Sequence, residues 1–292
     1  MLLGIDLGGT NVKVGLCGPN GRILAGDSIS TDATRGPRDT IRRIAALAKS
    51  LIGSRRIRAC GIGVPGPLDL ARTRIILAPN LPGWNNVRVP SILRRSLGIP
   101  VVMENDANCA AVGESRAWPR CDGFVLYTLG TGVGGGLILK GELWLGASGA
   151  AGELGHMTVA PDGPLCGCGR RGCVEVYASA TAVSRAAGVP AKAAFAAARG
   201  GNAAAKGAIA TAAWALGIGI ADLVHALHPD LVVLAGGMAA AGRALLEPVR
   251  AEVRRRVFPV HREKIRIEAS RLGDDAGWIG AALWAARKIH DR

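Results

Sequence analysis

Two stretches of this chain are built alike. Residues 2–17 read LLGIDLGGTNVKVGLC, and residues 123–139 read GFVLYTLGTGVGGGLIL. Each is an apolar run, a glycine turn and a second apolar run, the pattern of a strand, a tight turn and a returning strand. Laid over one another, Leu7-Gly8-Gly9-Thr10 falls on Leu129-Gly130-Thr131-Gly132, 122 residues further on. A second hairpin signal follows each copy, Pro19-Asn20-Gly21 before a strand over 22–25, and Lys140-Gly141. A chain that repeats one hairpin opening is expected to fold as two similar α/β halves. Its 292 residues suit two domains.

The hairpin tip, D-L-G-G-T, has a possible chemical use. Glycines let backbone N–H groups approach phosphate oxygens, and the Thr10 hydroxyl and Lys13 ammonium add donors. Asp6 stands at a strand end, where a carboxylate could hold hydrated Mg²⁺. A plain hairpin would look much the same. No Walker A motif occurs, so a P-loop kinase is excluded.

Gly152–Glu175 carries a different chemistry, GELGHMTVAPDGPLCGCGRRGCVE. Cys166, Cys168 and Cys173 fall within eight residues, and His156 lies ten residues before Cys166. Three thiolates and an imidazole form a soft donor set suited to a structural Zn²⁺. Four protein ligands leave no position for a zinc-bound water, so such a metal would be architectural. Small buried cysteines beside a surface histidine would need no ion. Glu153 and Glu175 flank the set. On a pinned loop their carboxylates could accept hydroxyls of a polyhydroxylated ligand; as solvated surface groups they would have no role.

Between the hairpins, periodicity predicts a helix over 37–51, a strand over 60–64 running into Pro65-Gly66-Pro67, a helix over 91–97 and a strand over 100–103. The loop Ala78-Pro79-Asn80-Leu81-Pro82-Gly83-Trp84 has a single Asn80 in its middle. Glu104-Asn105-Asp106-Ala107-Asn108 leads into a helix over 107–116. A carboxylate at such a junction is fixed by the strand and favoured in its charged form by the helix N-terminus. Asp and Asn there are equally good helix caps. Further on, helices are predicted over 178–188, 191–199, 202–228, 247–258 and 278–288, and strands over 231–235 and 265–269. The strand over 231–235 ends in Gly236-Gly237, which either admits a planar group to the backbone or simply turns the chain.

G-E-L-G-H followed by C-x-C-G-x-x-G-C-x-E resembles the zinc signature of the repressor/open-reading-frame/kinase (ROK) family of sugar kinases. The resemblance runs from D-L-G-G-T through E-N-D-A-N and V-L-A-G-G to G-D-D-A-G, in family order. It implies an α/β fold of two ribonuclease-H-like domains, as in actin and hexokinases, around a central cleft, with a structural zinc loop. The domains would be residues 1–116, completed by the helix at 278–292, and residues 117–277, with the zinc loop over 153–175. It implies phosphoryl transfer from ATP to a sugar hydroxyl, with Asp106 as general base. Gly66, Asn80, Asn105, Asp106, Glu153, His156 and Glu175 would bind the sugar. Asp6, Gly8, Gly9, Thr10, Lys13, Gly130, Thr131 and Gly132 would line the phosphate path, with Mg²⁺ accompanying ATP. Gly236 and Gly237 would face the adenosine. His156, Cys166, Cys168 and Cys173 would hold the Zn²⁺.

The segment V-E-V-Y-A-S-A-T-A after Cys173, together with Glu153, resembles the glucokinase branch. Glucose is the expected sugar, with N-acetylmannosamine, N-acetylglucosamine or another hexose as the alternative. Polyphosphate is the alternative donor, although its users in the family lack the cysteine cluster. The net charge is +14. With few aromatics to stack bases (Phe 3, Trp 6, Tyr 2) and no DNA-binding motif, no specific nucleic-acid partner is expected. The chain opens on its first strand, where the family's repressors carry a winged helix. A sugar-sensing regulator without turnover is therefore the weaker reading. The charge reads first as a solvated basic surface, and as a functional feature it would serve to attract an anionic phosphoryl donor. No leader and no uninterrupted apolar run of about 18 residues is present, so a cytoplasmic protein without a membrane partner is expected. Cys17, Cys60, Cys109 and Cys121 read as reduced core residues. The resemblance also implies a homodimer or homotetramer.

Overall fold

The glycine turns do what their spacing predicts. In a computed structural model, which describes residues 1–78 and 81–290, β1 (Leu2–Leu7) and β2 (Asn11–Cys17) pair antiparallel, with Asp6 opposite Lys13 and Leu7 opposite Val12. β3 (Ile23–Ser30) extends the meander and ends five residues beyond the strand predicted to stop at 25. After α1 (Gly36–Ile52), β4 (Ala59–Val64) returns parallel to β1. α2 (Val89–Leu97) leads to β5 (Val101–Asn105), parallel to β4, and α3 (Asp106–Ser115) follows at once. The sheet order is β3-β2-β1-β4-β5.

The second hairpin repeats this plan. β6 (Gly123–Leu129), β7 (Val133–Leu139) and β8 (Glu142–Leu143) form the meander. The helices α4 (Glu175–Ala178), α5 (Ala180–Ala187), α6 (Ala191–Arg199) and α7 (Ala203–Leu227) follow. β9 (Leu231–Ala235) pairs parallel with β6, and after α8 (Arg243–Arg256) β10 (Ile267–Ala269) pairs parallel with β9. Read from its other edge, β8-β7-β6-β9-β10, the second sheet has the first sheet's order, strand for strand. Both sheets are mixed, and the two hairpins occupy equivalent places in them.

The helix predicted over 178–188 is α5, which starts two residues later, and the short α4 before it was not expected. Ser179 takes an extended conformation, ends α4, and caps α5 by accepting the Ala182 N–H. Serine competes with the helix backbone in this way, which favours a break over continuity. α8 starts four residues before its predicted position and holds Pro248 within it. α7 also changes one expectation. It is long and apolar enough by length and composition to cross a membrane, yet 67% of its most apolar window is buried, as a core helix would be.

The chain divides into two compact units, residues 1–119 with 145–151 and 274–292, and residues 120–144 with 152–273. The domains expected from sequence were drawn at 116 and 278, without the excursion at 145–151. Each unit has its own apolar core. Ile5, Leu7, Ile62 and Trp84 are among the buried side chains of the first, and Tyr127, Leu216 and Val232 of the second. Each fully buried side chain of this kind stabilises its unit by about 1.5–3 kcal/mol. α9 (Ala276–His290) belongs to the first unit. It lies so close to the sheet that a Cβ on Gly4 would strike the Trp278 carbonyl, and one on Gly61 the Ala281 carbonyl. Of the cysteines read as core, Cys17, Cys60 and Cys109 are buried, whereas Cys121 is partly exposed.

Candidate active site

The tip of the first hairpin is braced from within its own unit. Thr31, fully buried, donates its hydroxyl to Gly8 O at 2.6 Å and its N–H to Thr10 O at 2.8 Å. The Gly8 N–H goes to Asn11 O at 3.0 Å. Gly9 and Thr10 are left exposed at the end of a rigid turn. Below them, burial pushes the Asp6 carboxyl up to about 6, against the pull of Lys13. The Lys13 ammonium is turned to Asp274, 3.1 Å from its carboxylate and 3.0 Å from its carbonyl. That surface pair contributes about 1 kcal/mol at most, so a phosphate could replace it.

At the end of β5 the helix cap falls to Asn105. Its Oδ1 accepts the Ala107 N–H at 2.9 Å and the Asn108 N–H at 3.2 Å. Its amide nitrogen lies 3.5 Å from Gly66 O, which brings two of the expected sugar residues together. Gly66 has φ +85°, and a side chain there would strike the Leu77 carbonyl. Asp106 opens the first turn of α3. Of the two readings open for this segment, the cap belongs to Asn105. Asn80 lies outside the described residues.

Glu104, one residue earlier, is 1% exposed. Its carboxylate accepts the Asn105 N–H at 2.9 Å and the Asn108 amide at 3.0 Å, and it pairs with Arg72 at 2.9 Å. A charge buried this deeply needs such partners, and together they hold the junction in register.

In the second unit, Gly130-Thr131-Gly132 is closed by the Gly130 N–H on Gly132 O at 3.0 Å. The start of α5 braces it: the Ala180 N–H donates to Gly130 O at 2.8 Å, and the Thr181 hydroxyl to Thr131 O at 2.8 Å. Glu175 reaches the same turn. Its Oε2 accepts the Val133 N–H at 2.9 Å, and its Oε1 lies 3.7 Å from Cys166 Sγ. Glu175 thus ties the glycine turn to the cysteine loop, and each of its oxygens keeps a further acceptor site for a hydroxyl. Glu153 is exposed at the start of the 3₁₀ turn Leu154–His156, with its carbonyl accepting the His156 N–H at 3.0 Å.

The ligand atoms of His156, Cys166, Cys168 and Cys173 all lie within 4.8 Å of one another. Cys168 Sγ and Cys173 Sγ are 3.6 Å apart, as are Cys166 Sγ and His156 Nδ1. Around a tetrahedral Zn²⁺, bonds of about 2.3 Å to sulfur and 2.0–2.1 Å to nitrogen would set those edges at about 3.8 and 3.6 Å. The donor set therefore fits that ion. The loop is formed by the Cys166 N–H on Arg170 O at 2.7 Å and by the Arg170 guanidinium on His156 O at 2.7 Å. Burial pushes the Cys173 thiol up to about 12 and raises the Cys166 thiol. Metal binding here would have to displace thiol protons.

Gly236 and Gly237 separate on inspection. Gly236 has φ +84°, and a Cβ would meet the Leu129 carbonyl at 2.7 Å, so the fold itself demands glycine. A Cβ on Gly237 would meet nothing within 4 Å. Only Gly237 is left without a structural reason, and it is the one a planar ligand could approach.

Thr31, Arg72, Glu104 and Asp274 support these groups and were not singled out from sequence. A glutamate at the end of the apolar strand VVMEN was the one available signal, because a buried acid requires a cation.

The ROK family model matches residues 2–288. The chain is 38% identical over 310 residues to a glucokinase of Thermotoga maritima, covering 99% of this chain and 98% of that protein. It is 35% identical to an N-acetylmannosamine kinase of Salmonella heidelberg, covering 97% of each. Among solved structures, the ROK family glucokinase from Streptomyces griseus in complex with glucose and AMPPNP matches with a TM-score of 0.86 at 34% identity, over 98% of this chain and 99% of that one.

Proposed function

This chain belongs to the ROK family, and we propose that it transfers the γ-phosphoryl group of ATP to a hydroxyl of a hexose, glucose before others. The observation that carries the reading is the junction at the end of β5. There Asn105 takes the cap, and the Asp106 carboxylate stands at the first turn of α3. Asp106 accepts the proton of the attacking hydroxyl while the new O–P bond forms and ADP leaves with the old bridging oxygen. Asn105 and Gly66 hold the sugar at that junction, and Asn80 is a further sugar-binding residue. Glu153, His156 and Glu175 offer acceptors and a ring N–H to further hydroxyls. The exposed N–H groups of Gly9 and Thr10, with Lys13, and the turn Gly130-Thr131-Gly132 cradle phosphates, and Gly237 receives the adenine face.

Mg²⁺, when bound with ATP, neutralises phosphate charge, and Asp6 is the group to hold its hydration shell. Zn²⁺ is the ion for the cysteine loop. His156 would be among the groups holding it, and a ring so fixed would keep its other nitrogen for a sugar hydroxyl. The shared strand order supports taking both units as ribonuclease-H-like.

The likeness to glucokinases at 38 and 34% identity favours glucose. N-acetylmannosamine is the second reading, on the relative at 35%. An assay of ADP release over a panel of hexoses tests both. Fastest turnover on glucose is expected. Fastest turnover on N-acetylmannosamine moves the assignment to the second reading, and no turnover on any hexose overturns it.

A further inference from the structure

Apart from the groups given roles above, the first unit holds a cavity of about 570 Å³ against β5, the edge strand of its sheet. Its wall is basic. Arg72 enters from the turn before Thr73, Arg88 and Arg94 from α2 and its cap, and Lys288 from α9. Among the described residues, Glu104 is the single acidic one in the lining. Met103 and Trp284 add an apolar face, and the Lys288 ammonium lies 4.6 Å above the Trp284 ring. Arg88, Arg94 and Lys288 are solvent-exposed cations converging on one hollow.

Arg72 differs from the other three. It is held with a left-handed backbone, φ +54°, which is uncommon for a residue with a side chain. Its guanidinium donates to Glu104 Oε2 at 2.9 Å and to Gly149 O at 2.7 Å. The other Glu104 oxygen accepts the Asn105 N–H and the Asn108 amide. One ion pair thus has the cavity on one side and the Asn105–Asp106 junction on the other.

We propose that this cavity binds a phosphate monoester of a small organic molecule, and that its occupancy is felt at the Asn105–Asp106 junction through Arg72 and Glu104. Arginine forks match phosphate oxygens two at a time. A dianion held by Arg88, Arg94 and Lys288 competes with Glu104 for Arg72, and the organic body rests on Met103 and Trp284. When Arg72 turns to the phosphate, Glu104 keeps only its bonds to Asn105 and Asn108, and the junction changes its packing. Binding is independent of the kinase reading. The consequence for turnover rests on it, through Asp106.

Isothermal titration calorimetry on the full chain tests the binding, with glycerol 3-phosphate and inorganic phosphate as probes. A salt concentration of about 0.15 M screens the diffuse attraction of a basic protein. The ester should bind at a single site and more tightly than inorganic phosphate. Arg88→Ala/Arg94→Ala should weaken it about tenfold or more, since charge-assisted phosphate contacts carry the affinity. Arg199→Ala/Arg254→Ala, with the same loss of charge elsewhere, should leave it unchanged. No saturable binding, equal affinity for the bare anion, or an equal loss in the control variant would each overturn the site. Hydrogen exchange of amides 105–108, read with and without the ester, tests the coupling without any need for turnover. Exchange that does not change while the ester is bound overturns the coupling. An inactive protein in the hexose assay, by contrast, counts against the kinase reading alone.

Discussion

Asn105 and Asp106 divide one backbone donor: the Ala107 N–H lies 2.9 Å from Asn105 Oδ1 and 2.8 Å from Asp106 Oδ1. Asn105 alone also takes the Asn108 N–H. The cap of α3 therefore survives a change at Asp106. Asp106→Asn should melt within a degree or two of wild type while turnover falls by about 10²–10⁴, the usual scale of a general base. The hexose Kd should change little, because an amide still hydrogen-bonds the hydroxyl. Calorimetry and kcat on this one variant decide the matter, and near-normal turnover would remove Asp106 as the base.

Asn105→Ala should behave differently. It loses the cap, at a cost of about 0.5–2 kcal/mol, and lets the Asp106 carboxylate move. Melting temperature and kcat should fall together. A stable variant with normal turnover would show that the cap does not position the base.

Glu104 and Arg72 form an ion pair whose carboxylate is 1% exposed. Removing one partner of a buried pair costs about 3–5 kcal/mol, because the other charge is stranded. Urea unfolding of Glu104→Gln, Arg72→Met and the double variant should give a double-variant loss well short of the summed single losses. Additive losses would mean that the pair is not coupled.

The cysteine loop should hold about one zinc per chain by elemental analysis, and Cys168→Ser should bring that value towards zero. Because His156 and Glu175 are set by the same loop, the variant should also raise the KM for hexose more than it lowers kcat. Wild-type protein purified without metal would dismiss the zinc assignment.

The Asp6 carboxyl, pushed up to about 6 by burial, gives a pH dependence of known sign. A carboxyl whose folded pKa exceeds its unfolded value of 3.8 favours the folded state when protonated. That contribution is full below the unfolded value and is lost as pH rises through about 6. Asp6→Asn should therefore melt higher than wild type at pH 8, with a smaller difference at pH 5. It should also need more Mg²⁺ for half-maximal rate. An equal difference in melting temperature at the two pH values would count against a desolvated carboxylate.

Local pattern made much of this legible. The two hairpins and their equivalent places in the sheets follow from glycine turns between apolar runs. The gathering of His156, Cys166, Cys168 and Cys173 within one loop follows from their spacing. Partners distant in sequence were not legible. Lys13 pairs with Asp274, 261 residues away, and Arg72 with Glu104 across a loop and a helix. Nothing in either neighbourhood names the other. The sorting of Gly236 from Gly237 was equally hidden, because it depends on how closely β9 approaches Leu129.

α9 covers Gly4 of β1 and Gly61 of β4, yet it follows the whole second unit in the chain. A ribosome builds from the N-terminus at about 5–20 residues per second. Some 215 residues separate Gly61 from Ala276, so the newly made first sheet waits roughly 10–40 s for the helix that closes it. The usual order of folding during translation, first domain first, is inverted here: the second unit has all its residues before the first can be completed. The face of the first sheet that α9 covers thus stays without its helix until the second unit is made.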